Sequence, residues 1–211
     1  MEASPHADRP PQVLSAGITK QVQTFSPLPY VADEMSAIGR LYAGRKLMDD
    51  RFDAANLQDA LARTDYRILH IASHGKFGNS VEDAYILTYR EHLDLNRFTR
   101  LVERAGQDPA NIELLVLSAC DTAAGDDQAT LGLAGMALRA GIRRVVASLW
   151  AADDSASARL IEEFYSQLKR NPGIPVAEAL GRAQRTMIES EPFLFRHPGF
   201  WAPFLLIDNS M

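Results

Sequence analysis

A single α/β domain, built on a mostly parallel sheet with helices on both faces, is the fold class this sequence predicts. Three observations predict it. Two short runs, Arg67 to Gly75 (RILHIASHG) and Ile112 to Leu117 (IELLVL), are apolar with little alternation, as strands covered on both faces are. Along the chain such runs alternate with segments of helical period, the pattern of a parallel sheet with crossover helices. The 211 residues suffice for one sizeable core and are too few for two ordinary domains.

The elements follow in order. Met1 to Gln12, rich in proline and polar residues, reads as a disordered lead-in, so the domain is expected over 13–211. Val13 to Ile18 is a first strand, and SPLPY at Ser26 to Tyr30 a turn-forming segment. Ala32 to Tyr42 places Met35, Ile38, Leu41 and Tyr42 at helical spacing. Arg45 to Met48 is a short strand and Ala54 to Ala62 a helix. After the Arg67 strand, Lys76 to Asp83 reads as a loop. Ala84 to Tyr89 and His92 to Leu95 can pair as a hairpin, and Asn96 to Arg104 is helical. Beyond the Ile112 strand, Ala123 to Thr130 is small and acidic and is expected to be mobile. Leu131 to Ala140 is a helix stopped by Gly141. Arg144 to Trp150 is a strand, Ala156 to Leu168 an amphipathic helix, Val176 to Ile188 another helix, and Trp201 to Ile207 a closing strand.

Composition excludes several function classes. A net charge of −5 without a basic cluster argues against nucleic-acid binding. No apolar run approaches a membrane span, and the N-terminus lacks the apolar core of a signal peptide; a cytoplasmic location is expected. One cysteine rules out an internal disulfide and an all-cysteine metal site, and suits a reducing compartment. The Asp126-Asp127 pair lacks further ligands at fixed spacing, so no metal and no cofactor are expected.

The chemistry converges on two strand ends. Cys120 follows one apolar strand and His74 closes the other, and open α/β sheets bind ligands beyond the carboxyl ends of their strands. A histidine beside a cysteine lowers the thiol pKa and later protonates a leaving amine. The bland alternative for Cys120 is a small core residue. His70 is the rival base, but a position inside the strand suits a buried, hydrogen-bonded histidine. His197, before Pro198, reads as a turn anchor. Asp121 either orients His74, lines a pocket or stabilises a turn. Asp153-Asp154-Ser155 reads as a helix N-cap ahead of a substrate contact.

Four motifs in order carry a family resemblance: HIASHG at His70 to Gly75, SACDTA at Ser118 to Ala123, LGLAGMALRAGIRRVVASLW at Leu131 to Trp150, and HPGFWAPFLL at His197 to Leu206. Together they closely resemble the CHAT domain, the bacterial caspase-like cysteine peptidase domain often attached to tetratricopeptide repeats. The likeness covers roughly Val13 to Asn209. SACDT stands where caspases carry their own cysteine signature, while the His-to-Cys separation is close to the roughly 50 residues of caspases.

The resemblance implies a caspase-like three-layer sandwich and a cysteine endopeptidase acting through a thioester. His74 would be its base and acid, Cys120 its nucleophile, and the N–H groups of Gly75 and Cys120 its oxyanion hole. Ser148 and Trp150 would border the substrate groove, with Asp121 and Asp153 further candidates for the pocket. It also implies a protein substrate and control by a repeat domain or partner protein. On that basis the chain reads as an excised catalytic domain or a short form, weakly active alone. Two alternatives stay open: an inactive docking module of the same fold, and a small-molecule amidase using the same dyad. Caspases hold aspartate at P1 with arginines. Here AADDSASA follows Trp150 without a basic residue before Arg159, and the segment after the first strand offers only Lys20. Cleavage after aspartate is therefore not expected; a basic or uncharged P1 residue is.

Overall fold

The computed structural model describes residues 10–76, 84–103, 112–118, 140–148, 152–189 and 193–209. The Ala123–Thr130 loop, most of the Leu131–Ala140 helix, and Cys120, Asp121 and Trp150 lie outside them. Strands β1 (Val13–Gly17), β2 (Gly44–Met48), β3 (Ile68–Ala72), β7 (Leu114–Ser118), β8 (Arg144–Ser148) and β9 (Phe204–Asp208) form one sheet in the order β2-β1-β3-β7-β8-β9. All its pairings are parallel except that of β9 with β8. Three short strands, β4 (Gly75–Lys76), β5 (Tyr85–Leu87) and β6 (His92–Asp94), make a separate antiparallel sheet, which includes the expected hairpin.

Period-2 alternation divides each central strand between two apolar layers, which explains why β3 and β7 are buried at every position. Leu69, Ile71, Leu115 and Leu117 pack with Leu57 and Leu61 of α2 (Ala54–Arg63) and Phe98 and Val102 of α3 (Leu95–Glu103). Ile68, Leu114, Val116 and Val146 pack on the other face. Their partners there include Leu160, Ile161 and Phe164 of α4 (Asp154–Arg170) and Leu180 and Met187 of α5 (Val176–Glu189). Helix α1 (Val31–Leu41) joins this second layer through Ile38. The result is the caspase-like three-layer sandwich.

Close packing brings α1 onto the sheet. A Cβ added at Gly17 would sit 2.8 Å from Val31 Cγ1 and 2.9 Å from the Ala72 carbonyl oxygen, so only glycine at the end of β1 lets the first turn of α1 lie there. Gly141, expected as a helix stop, has φ of 94°, a left-handed conformation that favours glycine.

Two expectations need correction. The closing strand does not begin at Trp201. His197 caps a one-turn helix α6 (Pro198–Trp201), its Nδ1 accepting from Gly199 N–H at 3.1 Å with Pro198 at the first position; Trp201 Nε1–H donates to the Arg196 carbonyl, and β9 starts at Phe204. The second concerns β3, which stops at Ala72 instead of running to Gly75. Gly75 and Lys76 turn away to form β4 against β5. His74 therefore lies between two strands, and the alternation that would have set it on the face of His70 does not reach it.

Candidate active site

The carboxyl ends of β1, β3, β7 and β8 lie side by side along one edge of the sheet, with Gly17 opposite Ala72 and Ala72 opposite Ser118. One step past β3, Ser73 N–H donates to the Ser118 carbonyl at 3.3 Å. The Ser73 hydroxyl donates to the Leu87 carbonyl, and Leu87 N–H to the His74 carbonyl at 2.8 Å. His74 is thus pinned by backbone bonds on both sides of its ring.

His74 is 7% exposed. Its Nε2 lies 2.8 Å from the Ser26 carbonyl oxygen. A carbonyl can only accept, so the neutral imidazole carries its proton on Nε2 and its lone pair on Nδ1. Nδ1 is buried and has no hydrogen-bond partner among the described residues. Phe25 packs against the ring at 5.1 Å between centroids. Ser26 belongs to the SPLPY turn, and the far end of that turn is also tied: Tyr30 N–H donates to Asp154 Oδ2 at 2.9 Å. The segment therefore bridges His74, after β3, and the start of α4, after β8.

Burial, first of all, raises the Asp154 pKa, and the charges of Glu34 and Asp153 add to this; the Tyr30 N–H and His74 pull the other way. Its neighbour Asp153 is the N-cap of α4, accepting from Ala156 N–H at 2.9 Å and from the Ser155 hydroxyl. Ser148 closes β8, buried opposite Phe204. Gly75 opens β4 opposite Ile86, directly after His74. Of the residues expected at the site, the structure brings His74, Gly75, Ser148 and Asp153 to the carboxyl edge of the sheet or the loops beyond it. Cys120, Asp121 and Trp150 lie outside the described residues.

His70 lies one layer below. It is fully buried, with Nε2 2.9 Å from Glu34 Oε1, off the line of a well-directed hydrogen bond, and Nδ1 3.3 Å from the Tyr165 hydroxyl. Ser118 Oγ–H donates to the same Glu34 oxygen at 2.6 Å. Sequence reasoning did not single out Glu34, Tyr165, Ser26 or Phe25. Their spacing fits ordinary helix and turn positions, and their roles come from contacts across the fold. Among the described residues no cluster of His, Cys, Asp and Glu could hold a metal, and no helix is long and apolar enough to cross a membrane.

Comparison with known proteins agrees with this architecture. The crystal structure of gingipain R, an Arg-specific cysteine proteinase, is similar at a TM-score of 0.58 and 12% identity, over 93% of this chain and 46% of that one. A complex of the pro- and mature domains of RgpB from Porphyromonas gingivalis is similar at 0.57 and 13%, over 93% and 47%. The chain spans just under half the length of those chains, and at such identities the likeness is one of fold. No curated protein matches the sequence. The CHAT domain model matches residues 2–209, nearly the whole chain including every motif of the resemblance, and the chain therefore belongs to the CHAT domain family.

Proposed function

We propose that the chain is a caspase-like cysteine endopeptidase with Cys120 as nucleophile and His74 as general base and acid. The observation that carries this reading is the junction of β3 and β7, where Ser73 N–H bonds the Ser118 carbonyl. Cys120 follows Ser118 by two residues, and two residues of chain span at most about 7 Å. His74 Nδ1 takes the thiol proton, and Cys120 Sγ attacks the peptide carbonyl carbon. The tetrahedral oxyanion is held by the N–H groups of Gly75 and Cys120. Each such donor contributes roughly 3–4 kcal/mol to lowering the barrier. The C–N bond breaks as His74 gives its proton to the leaving amine. Water, deprotonated by His74, then hydrolyses the thioester and frees the thiol. The Nε2–H bond to Ser26 holds the tautomer that this sequence of transfers needs.

The partners of Lys20 and Arg159, the cations that follow β1 and β8 in the sequence, support a P1 residue other than aspartate. Lys20 Nζ lies 3.7 Å from Asp49, Arg159 lies over the Phe195 ring, and Asp153 is committed to its helix cap. An aspartyl P1 side chain would meet no guanidinium fork from these residues, and an unpaired buried carboxylate is costly. A basic or uncharged P1 residue fits better. The family resemblance adds a protein substrate and control by a tetratricopeptide repeat domain or partner.

The test is proteomic identification of new protein N-termini produced by the wild type against Cys120→Ala, followed by peptides differing only at P1. Cys120-dependent ends that avoid aspartate are expected. Cleavage of small amides alone would turn the reading to an amidase, and a Cys120 inert to iodoacetamide would turn it to a docking module.

A further inference from the structure

Beneath the site lies a buried polar cluster for which acyl transfer has no direct use. Glu34 and His70 have side chains with 0% exposure, and Tyr165 and Ser118 are equally enclosed. Desolvation drives the Tyr165 phenol well above its ordinary pKa, with Glu34 and Tyr42 adding to it. A buried carboxylate–imidazole pair is a poor way to gain stability, because desolvation offsets its attraction and apolar residues of similar size often do as well. The contacts suggest another use. One oxygen, Glu34 Oε1, meets side chains from two adjacent strands: Ser118 Oγ at 2.6 Å at the carboxyl end of β7, and His70 Nε2 at 2.9 Å in the middle of β3. Glu34 itself stands in the first turn of α1, which the close approach at Gly17 presses onto the sheet. On the far side, the Tyr165 hydroxyl braces His70 from α4.

We propose that Glu34, braced by His70 and Tyr165, is a positioning residue that fixes the carboxyl end of β7 through the Ser118 hydroxyl, and so sets the placement of the thiol two residues further on. The inference rests on the reading of Cys120 as nucleophile. A short hydrogen bond to a carboxylate is among the stiffer ties available to a hydroxyl. With Ser73 N–H on the Ser118 carbonyl, the residue is held by both its side chain and its backbone. Loss of the tie leaves substrate contacts intact but lets the thiol drift from His74, so kcat and thiolate formation suffer while KM does not.

The experiment follows the rate of iodoacetamide alkylation of Cys120 against pH, together with kcat and KM on a cleaved peptide. Wild type, Ser118→Ala, Tyr165→Phe and Ile161→Val are compared, the last weakening packing in α4 without touching the cluster. In Ser118→Ala the alkylation midpoint should move toward the pKa of about 8.5 of an ordinary thiol. The rate near pH 6 should fall about tenfold, one pKa unit's worth, and kcat should fall with KM unchanged. Tyr165→Phe should shift the same way by less, and Ile161→Val should keep the wild-type midpoint. Wild-type midpoints in Ser118→Ala and Tyr165→Phe overturn the proposal, as does an equal shift in Ile161→Val; if Ser118→Ala does not fold, Tyr165→Phe decides alone. A wild type without any low-pH reactivity instead removes the dyad reading, and this inference with it.

Discussion

His70 and His74 stand four residues apart in one motif, both buried, and the fold treats them in opposite ways. His70 sits inside β3, with Glu34 at one ring nitrogen and Tyr165 at the other. His74 sits past the strand end, with one nitrogen on a backbone carbonyl and the other without a partner among the described residues. A histidine enclosed between two buried side chains of other elements is a structural element, even with its Nε2 off the line of a well-directed hydrogen bond to Glu34. One held by a single backbone bond is oriented and still has a lone pair to use. Burial does not separate the two; the kind of partner does, buried side chains around His70 and a backbone carbonyl at His74.

Removing the free lone pair tests the comparison most severely. His74→Ala should lower Cys120-dependent cleavage by about 10²–10⁴-fold, the usual contribution of a general base, and leave the urea midpoint close to wild type. A large stability loss with activity retained would reverse the roles of the two histidines. The next effect falls on stability. Glu34→Ala leaves the Ser118 hydroxyl without its buried acceptor, and a buried polar group left unpaired costs roughly 1–3 kcal/mol. Urea unfolding of this variant against His74→Ala measures the contrast directly, and equal midpoints would break it.

The single bond at His74 can be loosened without touching the ring. Pro27 follows Ser26 and stiffens the turn that presents the Ser26 carbonyl. Pro27→Gly should cost roughly 0.4–1 kcal/mol through the unfolded chain. It should also lower kcat more than that stability loss accounts for, because His74 loses its orientation. A kcat equal to wild type would show that Phe25 and the backbone bonds orient the ring without it.

The smallest effect concerns Asp154, whose charge reaches both Glu34 and His74. A carboxyl raised in the folded state binds its proton more tightly there than in the unfolded chain. Its contribution is complete below the unfolded value of about 3.9 and is lost as pH rises through the raised value. Asp154→Asn, neutral throughout and still an acceptor for Tyr30 N–H, should therefore be the more stable protein at neutral pH. Because the group is part-exposed, the difference should stay below about 1 kcal/mol and vanish below about pH 4. Thermal melts across that range check the sign.

Much of this was legible in the chain. Unbroken aliphatic runs marked β3, β7 and β8, because a strand covered on both faces needs apolar side chains at every position. Helical spacing marked α1, α2, α4 and α5 to within a residue or two. The Asp153 cap followed from what an aspartate does locally at a helix start. Four motifs in order identified the family. Strand ends were harder: His74 continues the apolar run by composition, yet its carbonyl accepts from Leu87 N–H of the separate antiparallel sheet, and β3 ends at Ala72. Likewise Trp201 reads as strand by its side chain, and the cap at His197 makes it helix.

By itself, then, the sequence determined the class of the fold, the order of its elements and the family, since periodicity, caps and motifs are local. Tertiary structure decided which histidine lies between two buried side chains and which has a ring nitrogen without a partner among the described residues. Glu34 comes from α1, Tyr165 from α4 and the Ser26 carbonyl from the turn between β1 and α1. Partners brought together across tens of residues leave no periodic trace in the chain, because their meeting depends on how helices cross a sheet and not on the spacing within either.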